Sequence, residues 1–499
     1  MRMKRLFALL LCACLALGVS LAEEPEKPAA PEPPAETVIT LDGQQISVNG
    51  APIAEDAAQS VYLSRRVERH EGVPESLSEL SNRVITIASG GAYRVGGAAE
   101  DVQIAVRAGA QEDVRLILDG ADISCRTAPA IVCYTARDPR TPGAYGFTIE
   151  LAEGSQNRVS GSHAPAPSEG GDKLDGAIES LVSLGIEGGG ELRVEADNEG
   201  IEVKYGHLTI NGGEIYVDSQ DDPLNVSEDG VGVLTMNEGY LFSSVKPLPG
   251  GEGDGMDSNG YIVFNGGVAI SLAHPDSRDS GIDSDMGATI NGGVIVGAGN
   301  MLDPVEAGGD QLFMMLSFDR KNSGLIVVTD ENDRPVFAFE LPHPYSCAAF
   351  SSPEFKAGAY RVYLGGEIEG EVSDGLYTSI RAYTPGTRLT HSGASAPDRR
   401  PGRDASPDAR GPEGPEPPSE DAPAEKVGPE DGPAEKVDPK DAPAEKVEPK
   451  DAPAQRDATG GGPVAGAVNA RPDAGEEASA GFVLSPTQTT FYGVTAQGL

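Results

Sequence analysis

The chain has 499 residues, enough for a large core and more than one domain, and carries a formal charge of −40. Such a balance excludes nucleic acid as a partner, because its phosphates would be repelled. After the N-terminal apolar run no stretch is long enough to span a membrane, and a monomer without a transmembrane segment is expected.

Residues 1–22 read as a secretory signal. Arg2, Lys4 and Arg5 precede an apolar run from Leu6 to Val19, and Ser20-Leu21-Ala22 supplies a small-residue cleavage site. The protein is therefore expected to be secreted or on the cell surface. Cys14 is a weaker alternative, a lipoprotein acceptor in a poor motif. Residues 23–37 are Pro, Glu and Ala, a stiff solvated linker.

Residues 38–310 are predicted to form one domain of short strands. Period-2 runs recur in its first part, at Val84-Ile-Thr-Ile87, Val102 to Val106, Val114 to Leu118, Ala130 to Cys133 and Phe147 to Leu151. Arg65 to Leu80 is polar and reads as a short helix or a loop. Cys125 and Cys133 stand close in sequence, which leaves a disulfide and two buried thiols equally open.

Between Ala177 and Gly299 the pattern becomes a repeat. Ile178, Ile201, Leu224, Met256 and Ile282 occupy like places, and after each comes a short run closed by a polar residue and glycine, such as Leu208-Thr-Ile-Asn-Gly-Gly213. A period of this size means stacked units, and units made of short strands fit coils of a parallel β-helix about 4.8 Å apart. Those five apolar residues are predicted to form one internal row. Asn211, Asn237, Asn265 and Asn291 are predicted to stack as a ladder at one corner, with Glu187 in that place in the first unit. The asparagines are expected to adopt the left-handed conformation there, and the glycines beside them to permit the bend.

The same stacking gathers carboxylates. Glu179, Glu202, Asn225, Asp257 and Asp283 follow the apolar row and should point outward by strand alternation. Asp175, Glu199, Asp221, Asp222, Asp254 and Asp279 precede it. Two carboxylates about 4.8 Å apart repel by roughly 3.5 kcal/mol at an effective dielectric of 20. Few cations lie nearby in sequence: Lys173, Arg193, Lys204, Lys246 and Arg278. Calcium, which takes oxygen ligands, would offset the repulsion. Asp254, Asp257, Asp279, Asp283 and Asp285 form the densest cluster, with Glu199, Glu202 and Asp222 as further candidate ligands. Singly, each of these acids reads equally as a solvated turn residue.

Residues 311–391 alternate as antiparallel strands and are expected to cap the coils. Residues 392–480 hold a ten-residue Pro-Ala-Glu-Lys-Val repeat with too few apolar side chains to fold, and are expected to be a disordered arm. Residues 481–499 are strand-like again and are expected to dock on the body.

Taken together, several stretches resemble a known family: Ile39-Thr-Leu-Asp-Gly43, Val114 to Ile123, Thr148 to Asn157, Leu208 to Gly213, Gly253-Asp-Gly-Met-Asp-Ser-Asn259 and Gly281-Ile-Asp-Ser284. In this order they are similar to the bacterial secreted carbohydrate-binding domain proteins, calcium-binding right-handed parallel β-helices shaped like pectate lyases. The resemblance implies an all-β fold built on a right-handed parallel β-helix, to which the residue pattern adds a C-terminal antiparallel β cap and disordered linkers. It also implies non-catalytic binding of an acidic, pectin-like or cell-wall polysaccharide with calcium. A polysaccharide lyase acting on uronic-acid polymers, whose base is often an arginine although the lone Arg278 here reads more readily as a charge partner, and a structural or adhesive surface protein are the alternatives. The six histidines show no zinc spacing, and without Trp a flat stacking platform is not evident.

Overall fold

The computed structural model describes residues 36–67, 81–163, 171–306, 308–395, 481–486 and 488–496. The predicted signal, Cys14, most of the first linker and the arm from 396 to 480 lie outside them. Every regular element among the described residues is a strand, in one sheet of 22 strands and one of 8.

The 8-stranded sheet shows how the sequence stacks. Ile131 pairs with Ile178, Ile178 with Ile201 and Ile201 with Leu224, all in parallel. These residues, with Met256 and Ile282, are buried in one apolar core. Each large aliphatic side chain taken from water contributes about 1.5–3 kcal/mol, so repeated rows of this kind outweigh the entropy of ordering short strands.

The second sheet corrects the expected architecture. Val114–Ser124 pairs through its first half with Phe147–Leu151 and through its second half with Gln156–Gly161. Those two continue to Leu184–Gly188 and Glu191–Ala196. Both then meet opposite ends of one long strand, His207–Ser219. All six pairings are parallel and the ring is closed. The fold is therefore all-β, as expected, but it is a closed six-stranded parallel barrel with further strands added, and the right-handed parallel β-helix expected from the repeat is not what the pairing forms.

The physical reason lies in the glycines. Asn-Gly-Gly was read as a break between two strands, whereas one 13-residue strand runs through Asn211-Gly212-Gly213. Gly213, at φ +89°, bends it without ending it. A strand that bends can take different partners at its two ends, and so closes the ring. The asparagine ladder is present: Asn237, Asn265 and Asn291 each donate from Nδ2 to the Oδ1 of the preceding asparagine at 2.7, 2.7 and 2.8 Å. Asn211 donates to the Tyr145 hydroxyl, which in turn donates to Glu187. The left-handed conformation, however, falls to Gly188, Gly213, Gly239, Gly267 and Gly293 rather than to the asparagines.

Close stacking leaves no room for a side chain at some glycines. A Cβ on Gly260 would lie 1.9 Å from the carbonyl oxygen of Gly232 on the neighbouring unit. Gly260→Ala is expected to destabilise by at least ~1–3 kcal/mol, since two backbones must part. Urea denaturation checks this, and an unchanged midpoint would show that the approach is looser.

The C-terminal strands pair antiparallel with one another and join the same large sheet. Val294–Gly299 pairs antiparallel with the far end of Pro335–Ser351, and Phe313–Thr329 pairs with the length of that strand. A second apolar cluster forms there around Phe339, Phe350, Phe482 and Phe491. Phe482–Leu484 pairs with Gly358–Tyr360, and Thr490–Ala496 runs parallel to Phe313–Thr329. Gly393–Ser395, placed in the arm by composition, pairs with Thr490–Tyr492. Cys125, Cys133 and Cys347 are buried, and Cys125 and Cys133 form no disulfide.

Candidate metal centre

The outward row of the 8-stranded sheet changes character along its length. Thr86, Ala105 and Val132 stand in one line, and Glu179, Glu202, Asn225 and Asp257 continue it, paired strand to strand. Strand alternation sends these side chains away from the apolar core, as the sequence suggested. It did not suggest their burial: Glu179 and Glu202 are wholly inaccessible, and Asn225 nearly so.

Among the described residues, Asp175, Glu199 and Glu202 bring carboxylate oxygens within 4.8 Å of one another. Glu199 and Glu202 were candidates from sequence, whereas Asp175 was only noted as preceding the row. Glu179 sits beside them, its Oε2 accepting the Asp175 and Gly176 amides at 3.0 Å. Glu202 Oε1 accepts from the Ser227 hydroxyl at 2.7 Å and from the Lys204 ammonium. Lys204 also lies 3.6 Å from Asp175, and the exposed Lys173 lies 3.2 Å from the same carboxylate.

These partners leave oxygens over. Glu179 Oε1, Glu199 Oε2, Glu202 Oε2 and Asn225 Oδ1 are buried without a hydrogen bond. Burial, reinforced by the Glu202 charge, holds the Glu179 and Glu199 carboxyls well above the usual range. Lys204 is raised as well: its own burial would lower it, but the charges of Glu202, Glu179 and Glu199 and the hydrogen bond to Glu202 outweigh that. A buried acceptor left unmet costs about 1–3 kcal/mol, more when charged. The donor set, carboxylates and an amide oxygen with neither nitrogen nor sulfur, suits a hard divalent cation of the calcium kind.

The aspartates expected to form the densest cluster are placed differently. Asp222 Oδ1 accepts the Asp254 amide, Asp279 Oδ2 the Gly253 amide and Asp254 Oδ1 the Ser280 amide. Backbone donors thus hold Asp254 and Asp279 of that cluster, and Asp222, a further candidate from the sequence. They still feel one another. Burial and the Asp283 charge push Asp254 up to about 8 and Asp257 up to about 7, and burial with the Asp221 charge raises Asp222. Asp285 contributes to the rise at Asp257.

A second feature escaped the sequence. Arg193, Tyr216 and Phe242 are successive partners on parallel strands, with the Arg193 guanidinium 4.1 Å from the Tyr216 ring and Tyr240 5.8 Å beyond it. Tyr240 donates to Asp374 at 2.5 Å, and cavities of about 620 and 460 Å³ share Phe242 and Asp374. Few aromatics are needed for such a patch when stacking places one per unit in line. Only the spacing between repeats hinted at it.

The fold and this row define an all-β protein of stacked strands with a buried, oxygen-rich stretch on one sheet. Residues 81–302 match the family model described as carbohydrate-binding domain-containing protein. No curated protein matches the chain. Among solved structures, the polysaccharide lyase-like protein from C. thermocellum, as its gadolinium derivative, is 21% identical over 52% of this chain and 94% of that one, with a TM-score of 0.35.

Proposed function

We propose that this is a secreted, non-catalytic carbohydrate-binding protein that takes an acidic polysaccharide with calcium. The observation that carries the reading is the set of buried, unmet oxygens on Glu179, Glu199, Glu202 and Asn225 beside Asp175. Carboxylates so placed repel one another unless a cation stands among them, and Lys204 supplies a single charge. The family match over residues 81–302 supports the saccharide as partner. Calcium bound here fixes the sheet face, and the row through Asp222, Asp254 and Asp257 extends the acidic tract along it.

The test is binding of polygalacturonate to the full chain, by calorimetry, with calcium and with chelator. Binding that weakens in chelator is expected. Equal binding in both would remove calcium from the reading, and no binding in either would remove the acidic saccharide. Absorbance of unsaturated sugar ends should stay flat over hours; a steady rise would make the protein a lyase.

A further inference from the structure

The same outer face of the 8-stranded sheet carries an opposite charge at its other end. A cavity of about 450 Å³ is lined there by Tyr62, Arg65, Gln103, Arg107 and Tyr134, among others. The Arg107 guanidinium lies 3.8 Å from the centre of the Tyr134 ring. Arg83, buried behind, spends its nitrogens on the carbonyls of Gly43, Gln44 and Glu100, and its charge and that of Arg65 act on each other.

Several arginines of this acidic chain are taken by carboxylates, Arg94 by Glu36 and Asp119, Arg126 by Asp101, Arg137 by Asp113 and Arg158 by Glu195, whereas Arg278, Arg320, Arg381 and Arg388 form no ion pair among the described residues. With a formal charge of −40, acids are abundant. Arg65 and Arg107 form no ion pair among the described residues, although both are exposed. A guanidinium fork left open beside tyrosine rings matches a planar carboxylate on a sugar ring: the fork takes the carboxylate, and the rings take the sugar's apolar face.

We infer that the cavity around Arg65, Arg107 and Tyr134 is a subsite for the carboxylate of a uronic-acid unit. The inference rests on the acidic-polysaccharide reading and places the anion-recognising contact apart from the acidic row. A polymer lying along this face meets arginines at one end and, at the other, the half-buried Asp257 that continues the sealed row of Glu179 and Glu202. Tyr134 and Val132 lie on the strand that pairs with the one bearing Glu179, so the two ends adjoin.

The experiment compares the full-length protein with Arg107→Gln, Arg65→Gln and Arg107→Lys. The probes are polygalacturonate and its fully methyl-esterified form, each with calcium and with chelator. Arg107→Gln should weaken polygalacturonate binding about ten- to hundredfold, as expected for losing a charged hydrogen-bonded pair. The loss should persist in chelator and be absent with the esterified polymer. Arg107→Lys should lose less, since it keeps the charge without the fork. If Arg107→Gln and Arg65→Gln both bind polygalacturonate as the parent does, the subsite is wrong while the polysaccharide reading stands. If the parent binds no acidic polymer, that reading fails, and titration of galacturonate monomer followed by NMR decides the subsite alone. Shifts at the Arg107 Nε and Tyr134 ring signals support it, and their absence overturns it.

Discussion

Calcium at a hundred times its dissociation constant is expected to stabilise the folded protein by about 2.7 kcal/mol, and chelator to remove that gain. The gain should depend on pH in a definite direction. Without metal, Asp254 and Asp257 titrate at about 8 and about 7 when folded, against 3.8 for the free side chain. Between about pH 4 and 8 the folded state therefore holds protons that the unfolded chain has released, and metal-free stability falls as pH rises through that window. If calcium is shared along the row, binding must displace those protons. Uptake should release protons most strongly near neutral pH, and affinity should rise from pH 6 to 8. Calorimetry in buffers of different ionisation enthalpy reads the protons, and melting with and without chelator at the two pH values reads the stability.

Substitution separates the two acidic groups. Glu199→Gln and Glu202→Gln are expected to abolish most of the calcium response, because they remove carboxylates that the fold brings together. Asp257→Asn and Asp283→Asn should mainly reduce the proton release. A melting temperature indifferent to chelator in the parent, with no calcium uptake by calorimetry, would leave the cluster as buried acids that simply stay protonated.

Phe482→Ala is expected to cost about 3–5 kcal/mol, the usual penalty for emptying a fully buried aromatic site. Phe482 is inaccessible, and its ring lies 5.0 Å from those of Phe491 and His391. The strand bearing it follows the long low-complexity segment, so the loss would show whether these last residues hold the body together. Val483, on the same short strand, is 48% exposed, and Val483→Ala should change stability by no more than about 0.5 kcal/mol. Chemical denaturation of both variants tests the contrast. Equal effects would mean that the strand does not dock by its inward face.

The sequence by itself determined whatever repeats. Ile178, Ile201 and Leu224 could be aligned because each unit returns the chain to the same place, and the asparagine ladder followed from the same period. The outward row of Glu179, Glu202, Asn225 and Asp257 was also legible, since alternation along a strand has a fixed period of two. What the sequence could not show was how far the strands run past the glycines. Asn-Gly-Gly ends a strand or bends one according to what lies beside it, and only the tertiary pairing made His207–Ser219 continuous and closed six strands into a barrel. Burial was hidden for a related reason. Whether Glu179 is solvated or sealed depends on segments packed against it, among them the stretch around Asp175, whose amide it accepts. The preference for Asp254, Asp257 and Asp279 over Asp175 followed density along the chain. In the fold, backbone amides satisfy Asp254 and Asp279, whereas Glu179, Glu199 and Glu202 keep oxygens with no partner. Hydrogen-bond satisfaction is settled between units in three dimensions, and there the folded structure decided which acids keep unmet oxygens.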